Sequence, residues 1–147
     1  MASRFQPRIH FGRSLAAALS LGIASLAFAQ QPTWAELRKQ SSALYMKRDL
    51  DGAIALERQA ITLAEKSSAK DPRIATGLIA VANLLALQGK HKDAIPMYEQ
   101  GIARQTAAGP EDWKLKGPLR SLARAYQAVG RGADADRTNK RADRIPS

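Results

Sequence analysis

One phrase occurs twice in this chain, 41 residues apart, and this repeat constrains the fold more than any other feature. Residues 51–61 are DGAIALERQAI and residues 92–102 are KDAIPMYEQGI. A weaker third copy, ADADRTNKRAD, follows at the same step in residues 133–143. Internal periods of about 20 to 50 residues are typical of chains whose helical units stack on their neighbours. The sequence therefore predicts three similar units that share a continuous core.

Small residues mark three places in the 41-residue period. They are Ser41, Ala82 and Ala123 at the first place, Ala53, Ala94 and Ala135 at the second, and Ala60, Gly101 and Ala142 at the third. Helix axes can approach within about 8–10 Å only where the facing side chains are short. One small place on the first helix and two on the second predict a tight helical hairpin in each unit. Larger apolar residues at the same step should fill its core, namely Leu37, Leu78 and Leu119, and Leu44, Leu85 and Tyr126.

Glycine and proline mark the ends of the predicted helices. Asp71 is a good N-cap, and Pro72 after it suits a first helical position. Pro96 is expected in a first turn, where backbone N–H groups have no helical partner. Gly89 and Gly130 are expected between the two helices of a unit. These signals predict an all-α fold with helices at about 33–47, 50–67, 72–88, 92–107, 116–129 and 132–144. The alternative is a generic six-helix bundle with an accidental alanine periodicity.

The N-terminus has the three parts of a secretory signal peptide. The first 14 residues carry three arginines and no acid, the next 14 are uncharged and mostly apolar, and AFA then ends at Ala29. A membrane span would need about 20 apolar residues, so this stretch is too short to be an anchor. We predict a signal peptide in residues 1–29, cleavage after Ala29, and export of residues 30–147 to a bacterial periplasm. No later apolar run predicts a membrane span.

Composition argues against an enzyme. The chain has no cysteine, and His91 is the one histidine outside the predicted signal peptide, where it is expected to be an exposed turn residue. Acidic residues are scattered among basic ones, and no glycine-rich phosphate loop occurs. We therefore predict no catalytic residue, metal or cofactor. Trp34 and Trp113, at the starts of first helices, are expected to staple repeats together.

The net positive charge of the chain is compatible with a polyanionic partner. Without the three N-terminal arginines, 20 of the 23 basic residues remain against 13 acidic ones, a net charge of +7. Anionic envelope polymer or lipid could then bind the last helix through four basic residues, Arg137, Lys140, Arg141 and Arg144. Interleaved aspartates favour a solvated C-terminal cap instead. Nucleic acid is not expected, because basic segments without aromatic residues are weak signals for it.

The segments LLALQGKHKDAIPMYEQ and YEQGI, with the small residues at the places described, resemble tetratricopeptide repeats. The period of 41 and the proline after DAI are similar to the longer repeats of the kinesin light chain type. This resemblance implies a right-handed superhelical solenoid of three helix-turn-helix repeats, at about 34–67, 72–107 and 116–144. The chain departs from the family at Asn139, where an aromatic residue is usual, and at Ile79 and Ala80, where a pair of asparagines is common.

The resemblance also implies a groove along the concave face, lined by the first helix of each repeat, where extended peptides or partner helices bind. Its positions in this chain are Arg38, Ser42 and Tyr45, then Ile79, Asn83 and Ala86, then Arg120, Arg124 and Gln127. Arginine suits carboxylates, and asparagine can both donate to and accept from a peptide backbone. The groove thus predicts an acidic segment or a free C-terminal carboxylate as ligand. The alternative is that these arginines only solvate an exposed helix face.

Three functions follow from these observations. The first is an exported adaptor that binds a protein or peptide, acidic or not, in the groove. The second is a structural assembly protein that self-associates through apolar edges of its terminal hairpins. The third is a binder of anionic envelope polymer. We favour the adaptor, and the partner's identity and the oligomeric state are left open.

Overall fold

Six α-helices alternate with short turns in residues 31–109 and 112–146, the part of the chain that this computed structural model describes. The helices are α1 (Trp34–Met46), α2 (Leu50–Ser67), α3 (Pro72–Leu87), α4 (His91–Ala108), α5 (Lys116–Ala128) and α6 (Gly132–Arg144), with a 3₁₀ turn at Trp113–Leu115 before α5. These described residues contain no β-strand, so the predicted all-α fold is confirmed. The predicted signal peptide, residues 1–29, lies outside them.

Each unit is a helical hairpin, and the hairpins stack within the compact unit Thr33–Ser147. In the first hairpin α1 packs against α2, in the second α3 packs against α4, and in the third α5 packs against α6. The stack forms because α2 also packs against α3, and α4 against α5. All nine small residues of the repeat pattern are buried. At Gly101 an added Cβ would lie 2.7 Å from Cγ1 of Ile79, so this crossing has no room for a side chain.

The turn inside each hairpin has the same backbone conformation in all three units. Its central residue has a left-handed conformation, with φ of 64° at Arg48, 75° at Gly89 and 79° at Gly130. These residues are 41 apart, as the repeat requires. The next residue in each case closes the helix, as where the Asp49 amide donates to the Leu44 carbonyl at 3.0 Å. The first turn alone places a side chain at a position that favours glycine.

The first helices of the first two repeats have side-chain caps at their N-termini. Thr33 and Glu36 form a reciprocal capping box at the start of α1, and the hydrogen bonds from Thr33 hold the pKa of Glu36 below its usual value. Asp71 caps α3 by accepting from the Arg73 amide at 2.9 Å, and Pro72 is the first helical residue. These caps fix where the first two repeats begin.

Pro96 lies beyond the first turn of α4, so the prediction that it marks a helix start was wrong. The helix begins at His91, which makes Pro96 its sixth residue. An amide at this position would have bonded to the carbonyl of Lys92, so the proline removes one helical hydrogen bond. The helix nevertheless continues to Ala108, because Ala94, Ile95 and other buried residues pack it on both sides.

The two tryptophans have different surroundings. Trp34 is half-buried and packs against Ala64, Ile74 and Leu78, so it joins α1 to the two following helices. Trp113 is 67% exposed, and its prediction as a staple between repeats was wrong. It falls in the 3₁₀ turn, where Leu115 takes the buried position instead.

In the described part of the chain, no helix is long and apolar enough to cross a membrane.

Candidate partner-binding groove

Two adjoining recesses lie along the face formed by α3 and α5, the first helices of the second and third repeats. The α6-side recess, of about 530 Å³, is lined by Ile79, Asn83, Gly117, Pro118, Arg120, Ser121, Arg124 and Asn139. The α4-side recess, of about 370 Å³, is lined by Asn83, Ala86, Leu87, His91, Tyr98, Ser121, Arg124 and Ala125. Asn83, Ser121 and Arg124 line both recesses. These three side chains therefore form the centre of the candidate site.

The structure brings together only part of the predicted groove. Four of the predicted residues line the α6-side recess, namely Ile79, Asn83, Arg120 and Arg124. Ala86 lines the α4-side recess. The others line neither recess: Ser42, Tyr45 and Gln127 are exposed on their helices, and Arg38 is half-buried in the first repeat. The recesses thus belong to the second and third repeats.

The three predicted groove arginines have different partners. Nη1 of Arg38 lies 2.9 Å from Oε2 of Glu57 in α2, and Glu57 is only 4% exposed. The Arg38 guanidinium also lies 5.5 Å from the ring centre of Trp34. Because a buried carboxylate needs a charged partner, Arg38 stabilises the first hairpin and its charge is neutralised.

Arg120 and Arg124 lie one helical turn apart on α5 but differ in their surroundings. Nη2 of Arg120 lies 3.0 Å from Oδ1 of Asp143 in α6, in an exposed pair. Nη2 of Arg124 donates to the Ser121 hydroxyl at 3.1 Å. No carboxylate of the described residues lies within ion-pair distance of Arg124. Arg124 therefore brings an uncompensated positive charge to both recesses.

A buried tyrosine orients the amide of Asn83. The Tyr98 hydroxyl donates to Oδ1 of Asn83 at 2.6 Å. Burial raises the pKa of Tyr98, while a hydrogen bond with Ser121 and the charge of Arg124 oppose that shift, so the phenol stays protonated at neutral pH and keeps donating. Since Oδ1 is occupied, the amide N–H groups of Asn83 remain available to a ligand.

His91 is not the exposed turn residue that the sequence predicts. It is the first residue of α4 and is half-buried in the wall of the α4-side recess. Its Nδ1 is buried without a hydrogen-bond partner among the described residues. The prediction was wrong because α5 packs near the start of α4, where the imidazole lies beside Arg124 and Ala125.

Several site residues were missed from the sequence. Ser121 precedes Arg124 by three residues, a spacing that places both on one helix face, and this signal was available. Leu87 and Tyr98 gave a weaker signal, because an apolar residue in a repeat is expected in the core. Tyr98 does lie there, whereas Leu87 is 60% exposed at the recess.

A second polar cluster joins the last two repeats away from the recesses. The Tyr126 hydroxyl donates to Glu99 of α4, and the Arg131 guanidinium lies 4.4 Å from the Tyr126 ring centre. Burial, with the hydrogen bond to Glu99, raises the pKa of Tyr126 to about 12. Asp134 in turn binds both Arg131, at 2.6 Å, and Arg137. The hydrogen bond between Tyr126 and Glu99 joins the second and third repeats.

The basic residues proposed for polyanion binding are partly engaged within the protein. Arg137 pairs with Asp134, and Nη2 of Arg141 donates to the Thr106 hydroxyl at 3.1 Å. Lys140 and Arg144 are exposed.

Over the described ranges, no group of three or more His, Cys, Asp or Glu side chains is placed to hold a metal ion. What the two recesses share is a set of polar side chains around Arg124.

Comparison with known proteins finds similarity in structure. No protein-family model matches the chain, and no curated protein matches it. The tetratricopeptide-repeat domain of Arabidopsis FLU superposes with a TM-score of 0.67 at 19% identity, covering 75% of this chain and 91% of that domain. BtubC (BKLC) from P. vanneervenii superposes with a TM-score of 0.72 at 18% identity, covering 87% of this chain and 53% of that one.

A third match is a putative kinesin light chain from Podospora anserina with nearly identical repeats. It superposes with a TM-score of 0.61 at 21% identity, and covers 75% of this chain and 53% of the other. This chain therefore spans about half the length of two of the three proteins. At these identities the comparisons establish the fold alone. The chain has the fold of an all-α tetratricopeptide-repeat solenoid, with repeats similar to those of the kinesin light chain type.

Proposed function

We propose that this chain is an exported protein-interaction module that holds a peptide or helix of a partner protein against the first helices of its repeats. The observation that carries the proposal is Arg124, which lies between two recesses, with Asn83 and Ser121 beside it and no carboxylate partner among the described residues. Stacked helical repeats present extended surfaces that bind proteins. No catalytic activity is part of the proposal.

An acidic segment is the partner that this charge favours. Charge-assisted hydrogen bonds to a guanidinium are stronger than neutral ones. We assign the preference to Arg124 because Arg38 and Arg120 already bind Glu57 and Asp143. The remaining predicted groove residues, Ser42, Tyr45, Ile79, Ala86 and Gln127, would extend the contact along the helices.

The proposal of export rests on the N-terminal sequence. A basic segment, a short apolar segment and the AFA motif ending at Ala29 support cleavage there and location in a bacterial periplasm. Fractionation of cells that express the full chain, with N-terminal sequencing of the product, tests this directly. A periplasmic product that begins at Gln30 supports it, and an uncleaved cytoplasmic product would refute it.

Self-association is a second candidate, because large apolar side chains are exposed. Tyr45 and Met46 at the end of α1, and Leu87 at the end of α3, lie in solvent. A second copy could cover them, as could a partner. Light scattering across a concentration series separates self-association from partner binding, since a stable dimer would double the measured mass.

Affinity capture from an extract of the native organism tests the adaptor function. The bait is the full chain, compared with Arg124→Glu and with Arg144→Glu, an exposed residue on α6 that lines neither recess. Both variants change the charge equally. We expect a discrete partner that the Arg144→Glu variant retains and the Arg124→Glu variant loses. Equal retention by both variants would show that the recesses do not bind the partner.

A further inference from the structure

A further cavity, the edge cleft, lies at the end of the second hairpin opposite its internal turn. It is bounded by the connection from α2 to α3, the start of α3, the end of α4 and the 3₁₀ turn before α5. Its volume is about 720 Å³. The edge cleft shares no lining residue with the two recesses of the groove, so it is a separate candidate site.

Small and apolar residues form the walls of the edge cleft. They are Pro72 and Ala75 from α3, Ala107 and Ala108 from α4, and Leu115 from the 3₁₀ turn. Pro72, Ala107 and Ala108 are exposed to solvent, so a ligand that covers them gains from the burial of apolar surface. Cavities of about 300–1,000 Å³ with mainly apolar walls are typical of sites for small organic molecules.

Both acidic residues in the described lining are already balanced by neighbouring cations. Oδ2 of Asp71 accepts from Nη2 of Arg73 at 2.6 Å, and these hydrogen bonds hold the pKa of Asp71 below its usual value. Asp112 accepts from the backbone amide of Lys114 at 2.9 Å, and Nζ of Lys114 lies 3.9 Å from its Oδ2. The two carboxylates therefore do not offset the other charges of the cleft.

Lys70 and Arg104 bring positive charge to the edge cleft. Nη1 of Arg104 donates to the carbonyl of Ala69 at 2.9 Å, a neutral partner. Among the described residues, no carboxylate lies within ion-pair distance of either cation. The Gln105 side chain also lines the cleft, and an amide can donate to an anion. Apolar walls and uncompensated positive charge therefore occur together in one cavity.

We propose that the edge cleft binds a small organic acid, whose apolar body covers the walls and whose acidic group lies beside Arg104 and Lys70. Two positive charges would repel a metal cation. A nucleic acid or another long polyanion binds through many cations in a row, whereas here two cations adjoin apolar walls. This site is independent of the proposed function, which concerns the groove.

Two naphthalene derivatives of nearly equal size test the proposal. One is 2-naphthoate, an anion, and the other is 2-naphthamide, which is neutral. Titration of the ¹⁵N-labelled full chain, followed by NMR, measures the affinity and locates the site. We expect 2-naphthoate to bind at least about fivefold more tightly, because charge-assisted hydrogen bonds are the stronger ones. The amide signals of Ala75, Gln105 and Ala108 should shift, and not those of Asn83 and Ser121.

Three variants with the same change of charge locate the anion. Arg104→Gln should remove the preference for 2-naphthoate, and Lys70→Gln should reduce it. Lys70→Gln leaves the bond between Arg104 and the Ala69 carbonyl in place, so its effect reports charge and not the position of the connection. Arg144→Gln changes an exposed residue of α6 that lines neither the cleft nor the recesses, and it should keep the preference. Circular dichroism checks that the variants are equally helical.

Equal binding of 2-naphthoate and 2-naphthamide would overturn the proposal, as would shifts confined to the recesses of the groove. An equal loss for Arg104→Gln and Arg144→Gln would overturn it too, since the charge effect would then be non-specific. Failure of 2-naphthoate to bind at millimolar concentration would also overturn it. None of these outcomes affects the proposed function, which depends on capture of a partner through Arg124.

Discussion

The first and third repeats carry an arginine at the same place in the 41-residue period, yet the two arginines have different surroundings. Arg38 pairs with Glu57, which is buried in α2. Arg120 occupies the same place in the third repeat, where the residue that corresponds to Glu57 is Asn139. Asn139 lines the α6-side recess with Arg120 and Arg124. Asn139 is neutral, so Arg120 pairs with Asp143 in an exposed pair instead, and Arg124 has no carboxylate within ion-pair distance among the described residues.

The second repeat has a third arrangement at these places. Tyr98 corresponds to Glu57 and Asn139 in the period, and its hydroxyl donates to Asn83. The residue at this place on the second helix therefore has a different relation to the first helix in each repeat. In the first repeat it neutralises Arg38, in the second it orients the amide of Asn83, and in the third it lines a recess. Repeats with similar helices can thus have different binding properties.

Substitution of the two arginines should have unequal effects on stability, and this is the largest effect that we expect. Arg38→Ala leaves the Glu57 carboxylate buried without its partner and should lower the free energy of unfolding by about 2–3 kcal/mol. Arg120→Ala breaks an exposed pair and should cost less than about 0.5 kcal/mol. Urea denaturation of both variants measures the difference. Similar losses would mean that the two pairs are equivalent after all.

A glutamate at position 139 of the third repeat should reproduce the ion pair that Glu57 makes in the first repeat. Asn139→Glu places a carboxylate in the recess beside Arg120 and Arg124, where it should compete with an acidic ligand. We expect affinity for the captured partner to fall by about tenfold, or 1.4 kcal/mol, with stability little changed. Asn139→Gln adds the same length without charge and is the matched control. A loss with both variants would indicate a steric effect and not a charge effect.

The turn of the first repeat also differs from the other two. Arg48 has a left-handed backbone where the second and third repeats have glycine. Because a side chain in this conformation costs about 1 kcal/mol, Arg48→Gly should raise the free energy of unfolding by about 0.5–1 kcal/mol. Arg48→Ala removes the charge but keeps the strain, so it should bring no gain. An equal gain in both variants would assign the effect to the arginine's charge.

The effect of Tyr126 is the smallest at neutral pH, because it appears only in alkali. Its pKa is raised to about 12 in the folded protein, above the value near 10 for an unfolded chain. The stabilisation is therefore fully present below about pH 10 and is lost as the pH rises toward 12. Tyr126→Phe should reduce the decline in stability over this interval, as measured by urea denaturation at several pH values. An unchanged decline would show that Tyr126 does not titrate in this way.

The fold could be predicted from the sequence because its signals are local and repeated. Helix boundaries follow from glycine, proline and capping residues, and the structure places every helix end within one residue of the prediction. The positions of the small residues follow from the close contact between the two helices of a hairpin, which each repeat makes in the same way. Pro96 and Trp113 were misjudged because buried neighbours, and not local preference, determine their positions.

The site was predicted less well because its properties depend on pairs of residues in different helices. The sequence places Arg38, Arg120 and Arg124 on equivalent faces but does not show that Glu57 and Asp143 bind the first two. His91 was missed for the same reason, since its burial depends on α5. Positions in a repeat predict which residues line a groove, whereas charge in the groove depends on the partners that the fold supplies.

Photo-cross-linking in the native organism would show whether the partner binds at the recesses. A photoreactive amino acid at position 139, in the α6-side recess, is compared with the same amino acid at position 144, on α6 outside both recesses. Our account predicts a discrete partner cross-linked from position 139 and not from position 144. Cross-linking of the same partner from position 144 alone, or equally from both, would contradict it.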